Sequence, residues 1–260
     1  MSPALSAFAT RVGLGNTDPA VLLQAVTHKS FKHGSVATSE RLEYLGDKAI
    51  GLFVLEHVHL KYPVLPAQTV ADAVYAYSGT PALAAIAREI GLQRVMRWKS
   101  NEDSTQGIET VSARVFRALV GAVYHQHGSR VARQFIHEHI LSRKVNVDAL
   151  LPLQQPKRLL SALMKRKNME RPVSRIIHET GRLSNAPVFQ VGVYTGTKKI
   201  GEGYGSSIKM AEHRAAKDAL LTYYMSEVKD FMYPSDFEGL PEEETITFVP
   251  QPLGDTQVIL

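Results

Sequence analysis

The sequence predicts an α + (α+β) chain, an all-helical domain followed by a smaller domain of order α-β-β-β-α. Two observations carry this. Up to about Ser142 the apolar residues recur at helical spacing and no alternating run reaches strand length, whereas beyond residue 156 the period shortens to two in three successive stretches. The charge changes along the same boundary: residues 156–225 carry 13 Lys/Arg against 5 Asp/Glu, the tail 226–260 carries 1 against 8, and the remainder nets +4. At 260 residues and 44% hydrophobic content, the chain can fill two modest cores. The expected organisation is an N-terminal segment (1–19), a helical domain (20–144), a linker (145–155), the mixed domain (156–225) and an acidic tail (226–260).

Val21 to Val26 reads as a short helix. Ser39 is placed to cap a long one from Glu40 to about Lys61, stopped before Pro63. Its interior is apolar on more than one face, which predicts a helix central to the core. Helices are expected over Ala67–Tyr77, Thr80–Ile90, Thr110–Gln126 and Val131–Leu141. Past the linker, which is marked by Pro152 and Pro156, a helix at Leu159–Met164 precedes strands at Ser174–His178, Val188–Tyr194 and Lys198–Tyr204, and a helix over Met210–Met225 closes the domain. The tail shows no periodicity and is left irregular.

The chain has no Cys, so disulfides, thiolate metal sites and a Cys nucleophile are excluded. No run approaches the roughly 18 apolar residues of a membrane span, and a soluble protein is expected. The N-terminus fits a secretory signal poorly, and its single Arg is thin support for an organellar presequence. A compact basic block points to a polyanion partner or, more blandly, to a solvated surface.

Glu43 and Asp47 lie at i and i+4 on a strongly apolar run, so on a helix they share a face and form half of a carboxylate metal cluster. The pairs His57/His59, His125/His127 and His137/His139 are spaced i, i+2; on helices such residues diverge, so they are not read as metal sites. Trp98, Tyr75 and Tyr77 are read as packing or interface residues.

Glu40-Arg-Leu-Glu-Tyr-Leu-Gly-Asp47, preceded by Thr27-His-Lys-Ser-Phe31, resembles the signature helix of the ribonuclease III family, and Arg117-Ala-Leu-Val-Gly-Ala-Val-Tyr124 resembles that family's second signature helix. Gly201 to Ala216 resembles the end of a double-stranded-RNA-binding domain. The resemblance covers about residues 20–225, in the family's order. It implies a site in which acids from both signature helices surround magnesium. Here the second helix holds Arg114 and Arg117 where the family places an Asp and a Glu, so the formal charge of the four positions is zero instead of −4. An Arg about 5 Å from Mg²⁺ repels it by roughly 6 kcal/mol at an effective dielectric near 20, and Arg cannot escape by deprotonating. The expectation is a vestigial site in which Glu43 and Asp47 pair with Arg114 and Arg117, with no metal, no cofactor and no catalysis. The bland alternative is that both arginines turn outward.

The second domain departs in a similar way. Ala162 stands where the family carries a minor-groove Glu, the loop Gly181–Pro187 is one residue longer and lacks the family's His, and Ile208 replaces one of two phosphate-gripping lysines, leaving Lys209. Lys165, Arg166, Lys167, Lys198, Lys199, Lys209 and Arg214 are the candidate RNA contacts. Gly203, Gly205, Ala211, Ala215 and Ala216 are read as a tight turn and close helix packing.

A ribonuclease III fold with its acids lost resembles the mitochondrial large-subunit ribosomal protein 44 family. That resemblance implies the mitochondrial matrix, ribosomal RNA, neighbouring mitoribosomal proteins, and pairing with a second ribonuclease-III-like ribosomal protein. Because family members dimerise through the signature helix, Leu42, Tyr44, Leu45 and Lys48 are candidate interface residues, with burial inside the monomer the alternative for Leu42 and Leu45. Two other functions stay open: an active double-stranded-RNA endoribonuclease with an unusual metal site, and an inactive partner that supplies RNA affinity to an active ribonuclease III.

Overall fold

The computed structural model describes residues 2–99 and 105–237. The chain divides into two compact units, one of Met1–Leu60, Val70–Val145 and the segment from Phe231, the other of Lys61–Thr69 and Asn146–Asp230.

The first unit is helical. α1 (Pro3–Arg11) comes from the stretch that the sequence left as an N-terminal segment; Ser2 caps it by accepting from the Leu5 amide, Pro3 sits at its first turn, and Leu5, Phe8 and Ala9 are buried. α2 (Pro19–Ala25), α3 (Glu40–Lys61), α4 (Ala67–Ser78), α5 (Thr80–Glu89) and α6 (Thr105–Ile136) follow. The Ser39 carbonyl accepts the first helical bond of α3, from Glu43, but the Ser39 hydroxyl is buried with no partner among the described residues, so the expected side-chain cap is absent. α6 spans what the sequence separated into two helices; Gly128, at φ +80°, breaks its regular course.

The core is shared by α3, as expected from its sequence, and α6: Ala49, Ile50, Phe53, Val54, Val58 and Leu60 of α3 are buried. Ala113, Val115, Phe116, Ala118, Leu119, Val120, Ala122 and Val123 are fully buried, whereas α3 leaves Tyr44, Leu52 and Leu55 exposed. α3 is apolar on several faces because one of those faces is surface. The two helices cross at a pair of glycines: a Cβ on Gly46 would lie 1.8 Å from the Arg117 carbonyl oxygen, and one on Gly121 2.0 Å from that of Leu42. Only backbone fits there.

The first part of the acidic tail, expected to be irregular, returns to this unit. Ser235 donates from its amide and hydroxyl to the Glu56 carboxylate (2.9 and 2.8 Å) and accepts from Arg133 (2.7 Å). Tyr233 hydrogen-bonds His57 at 2.8 Å and lies under the Arg133 guanidinium, and α9 (Pro234–Phe237) ends the described chain. Residues 238–260, the rest of the tail, lie outside the described residues.

The second unit pairs α7 (Pro156–Arg166) and α8 (Ile208–Tyr224) with one antiparallel sheet of order β1-β2-β3, built from Val173–Thr180, Val188–Thr195 and Lys198–Gly205. Phe189, Val191 and Val193 bury one face of β2, while Leu160, Leu163 and Met164 of α7 and Ala215, Ala216, Ala219 and Leu220 of α8 are buried on the helices. Ala at these helix positions and Gly at alternate β3 positions let α8 lie close: a Cβ on Gly203 would meet the Ala215 nitrogen at 2.3 Å. Ser207 caps α8 by accepting from the Met210 amide. The expected linker is not loose; Val147, Leu151 and Leu153 are buried, with a short 3₁₀ turn over Val147–Leu150. No described helix is long and apolar enough to cross a membrane.

Candidate functional site

The glycine crossing sets the geometry of the cleft at the N-terminal part of α3. It brings the Glu43–Asp47 face of one helix against the Arg114–Arg117 face of the other, each pair one turn apart. Arg117 Nε lies 3.2 Å from Asp47 Oδ1, and Arg114 Nε lies 3.7 Å from Glu43 Oε1. Both arginines thus turn into the cleft. Asp47 also takes Lys48 Nζ at 3.1 Å, and Lys29 pairs with Glu40 at 3.1 Å on the rim. The two central pairs differ in burial: the Arg117 side chain keeps 16% exposure beside an Asp47 at 46%, whereas Arg114 keeps 38% beside a Glu43 at 23%. Burial pushes the Glu43 carboxyl above its ordinary pKa, and Arg114 and then Arg117 pull it back only in part. The long Arg114 contact fits that balance. His28, buried beside the cleft, accepts from the Ser30 amide at Nδ1, and its Nε2 has no partner among the described residues. Burial first, then the charges of Arg114 and Lys29, lower its pKa.

Of the proposed interface residues, Tyr44 (71% exposed) and Lys48 stand on the surface and Leu45 is half-buried. Leu42 turns inward to pack with Ala25, Ala118 and Ala122, which corrects its assignment to an interface. The sequence reading missed Leu52 (58%) and Leu55 (45%); Tyr75 of α4, read as a packing or interface residue, is 67% exposed. The signal was available: Tyr44, Lys48, Leu52 and Leu55 follow each other at three- and four-residue steps along one face of α3.

The seven cationic candidates of the second unit do not form one patch. Lys165 and Lys167 end α7, and Lys167 lies 4.8 Å from the ring centre of Tyr223 at the far end of α8. Lys198 and Lys199 begin β3 beside them, since Thr195 donates to the Glu170 carbonyl just past α7. Lys209 begins α8 at the opposite end of β3, about 23 Å away along an eight-residue strand. Arg214 belongs to that opposite end and donates to the Tyr204 carbonyl at 2.8 Å. Lys199 is held by Glu202 at 2.6 Å, and Tyr204 and Gln190 donate to the same carboxylate. These three hydrogen bonds pull the Glu202 pKa down to about 2. Lys165, Lys198 and Lys209 are exposed, and Arg166 is half-buried. The loop Gly181–Pro187 is braced by Ser184, whose amide and hydroxyl donate to the Gly181 carbonyl, and it presents Leu183 fully exposed.

Comparison with known proteins decides the family. A ribonuclease-III-like family model matches residues 18–144, and the model of the MRPL44 dsRNA-binding domain matches residues 151–245. Ribonuclease 3 of Symbiobacterium thermophilum is 31% identical over 228 residues, covering 84% of this chain and 94% of that protein. The chain belongs to the ribonuclease III family. The large ribosomal subunit protein mL44 of Neurospora crassa is 42% identical over 125 residues, 48% of this chain, and the matched region spans 28% of that protein's length. The nuclease domain of Campylobacter jejuni ribonuclease III superposes at TM-score 0.48 with 24% identity, over 53% of this chain and 96% of that domain.

The ribonuclease III resemblance implies magnesium, and the donor set at α3 and α6 does not suit it. Mg²⁺ takes hard oxygen donors in an octahedron, and a two-metal site gathers several carboxylates. Here each central carboxylate faces a permanently charged guanidinium at 3.2 or 3.7 Å. A divalent cation would have to displace both arginines and then sit beside them.

Proposed function

We propose that this chain is a non-catalytic, RNA-binding structural protein of the mitochondrial large ribosomal subunit, with a degenerate ribonuclease III domain and a reshaped double-stranded-RNA-binding domain. The observation that carries the reading is the placement of Arg114 and Arg117 against Glu43 and Asp47, which closes by ion pairing the space where phosphodiester cleavage needs metal. The match to the MRPL44 dsRNA-binding domain and the likeness to mL44 support the ribosomal assignment, and with it a mitochondrial matrix location.

In this reading the RNA-binding domain uses two separate basic ends, so it suits a fixed segment of ribosomal RNA better than a regular duplex, where recognition runs along shape, 2′-hydroxyls and phosphates. The exposed α3 face of Tyr44, Lys48, Leu52 and Leu55 is the surface offered to a protein neighbour. A second ribonuclease-III-like ribosomal protein is the partner proposed for it. Salt-resistant co-sedimentation of the protein with mitochondrial large subunits tests the assignment. Co-purification with an active nuclease, and absence from the large subunit, would replace it with the nuclease-partner function.

A further inference from the structure

We propose that the exposed face of the β1-β2-β3 sheet is a platform for unpaired RNA, on which Tyr194 and Tyr204 each take one base. This goes beyond the ribosomal reading and holds whether or not the chain sits in a ribosome. α7 and α8 cover the other face of the sheet, and on β2 the residues that alternate with buried Val191 and Val193 are Gln190, Gly192 and Tyr194. Gly192 has no left-handed φ, so no turn requires a glycine there. A Cβ on it would lie 2.8 Å from Ile177 Cδ1, 2.9 Å from Tyr194 Cε2 and 3.3 Å from the Tyr194 hydroxyl, so the missing side chain makes room for that ring to lie down over the strand. A glycine inside a strand gives up packing and chain entropy, and it marks places where something approaches the backbone closely. Tyr204 is fixed from the other end. Its hydroxyl donates to Glu202 at 2.6 Å and accepts from Gln190 at 2.9 Å, while Tyr204 stays 52% exposed. Gly192 pairs with Glu202 in the register, so both tyrosine hydroxyls end on the same rung of the sheet.

Two rings held in place on one open face make a stacking surface, and every base has a π-face to lay on them. Tyr204 pairs with Gln190, four residues from Tyr194 along β2, which sets the two Cα atoms about 14 Å apart and lets each ring take its own base. The charges suit RNA. Arg175 is exposed, with its guanidinium 5.3 Å from the Tyr194 ring centre, where it can stack on a base or meet a phosphate. Glu202, the one carboxylate among these residues, is already held by Lys199, Tyr204 and Gln190, so its charge is offset. A duplex does not fit: its bases are stacked inside, and a sheet face cannot enter the narrow major groove. A dry protein interface suits the face less well, because the Glu202 network occupies its centre and Arg175 divides Val173 from Ile177 along β1.

Fluorescence anisotropy of the full chain with a labelled oligouridylate of about 12 nucleotides, and with an RNA duplex of about 16 base pairs, tests the proposal. Tyr194→Leu and Tyr204→Leu should each weaken oligouridylate binding at least about fivefold, the loss expected of one stacked base, while Tyr194→Phe and Tyr204→Phe stay within about twofold of wild type. Duplex affinity should hold in all four variants. A second measurement needs no variant: photocrosslinks from a 4-thiouridine-substituted oligouridylate to wild type should fall within 188–205, the stretch of β2 and β3. Oligouridylate affinity unchanged in both Leu variants, equal losses in the Leu and Phe variants, or crosslinks confined to other segments would overturn the proposal. Failure of wild type to bind the oligouridylate at all would also overturn it and leave the face to a protein partner.

Discussion

Replacing Gly46 by Ala adds one methyl group where α3 crosses α6. The new Cβ would lie 1.8 Å from the Arg117 carbonyl oxygen and 2.7 Å from the Gly121 nitrogen. Ordinary contact needs about 3.5 Å, so the helices must part by roughly 1.5 Å. Overpacking a core costs about 1–3 kcal/mol when side chains can yield. Here the obstacles are backbone atoms of a buried helix, which places the cost at or above the upper end. Helix preference for Ala over Gly returns about 1 kcal/mol. A net loss of about 2 kcal/mol or more lowers Tm by about 4–8 °C in a chain of this size. Gly51, in the same helix with nothing within 4 Å of an added Cβ, is the internal control. Thermal melts followed by circular dichroism should show Gly46→Ala falling and Gly51→Ala holding or rising by a few degrees. If both substitutions behaved alike, the close crossing that brings Glu43 and Asp47 to the arginines would be wrong.

Other outcomes follow from the same geometry. Because the Glu43 pKa is raised in the fold, the protein is favoured while Glu43 is protonated and loses that contribution as pH rises through the folded pKa. Glu43→Gln should therefore flatten the stability profile from about pH 4 upward, read as urea midpoints at pH 4 and 7; an unchanged slope would contradict it. Arg114→Asp combined with Arg117→Glu rebuilds a four-carboxylate cluster, so its Tm should rise by several degrees on adding Mg²⁺ while wild type shows no Mg²⁺-dependent shift. Glu202→Gln releases Lys199 and should tighten duplex-RNA binding a few-fold, with a steeper salt dependence in fluorescence anisotropy. Lys209→Ala, removing one exposed cation, should reduce that slope by up to about 0.9 if it contacts a phosphate.

Much of this fold was legible where local chemistry decides it. Glu40 to Lys61, before Pro63, has the observed limits of α3, and Gly128 marks the break in α6 that the sequence showed as two helices. The pairing of Glu43 and Asp47 with Arg114 and Arg117 followed from helical spacing plus the family resemblance. What the sequence could not give depended on contacts between distant segments. Leu52 and Leu55 look like core residues in any local pattern, and only the position of α6 leaves them outside. Phe231 to Ser235 carries no period of its own; its order comes from Glu56, His57 and Arg133, far away in the chain. Apart from Lys209, which the family resemblance singled out, the cationic residues were grouped by charge, and the length of β3 separates them. α1 was missed although Ser2 followed by Pro3 is a helix start, because its apolar run is short.

The most direct measurement of the central claim is cleavage of long duplex RNA by the purified chain across a Mg²⁺ titration, with Asp47→Asn alongside. The ion-paired cleft predicts no Mg²⁺-dependent products from either protein. Mg²⁺-dependent cleavage by wild type that Asp47→Asn abolishes would contradict it.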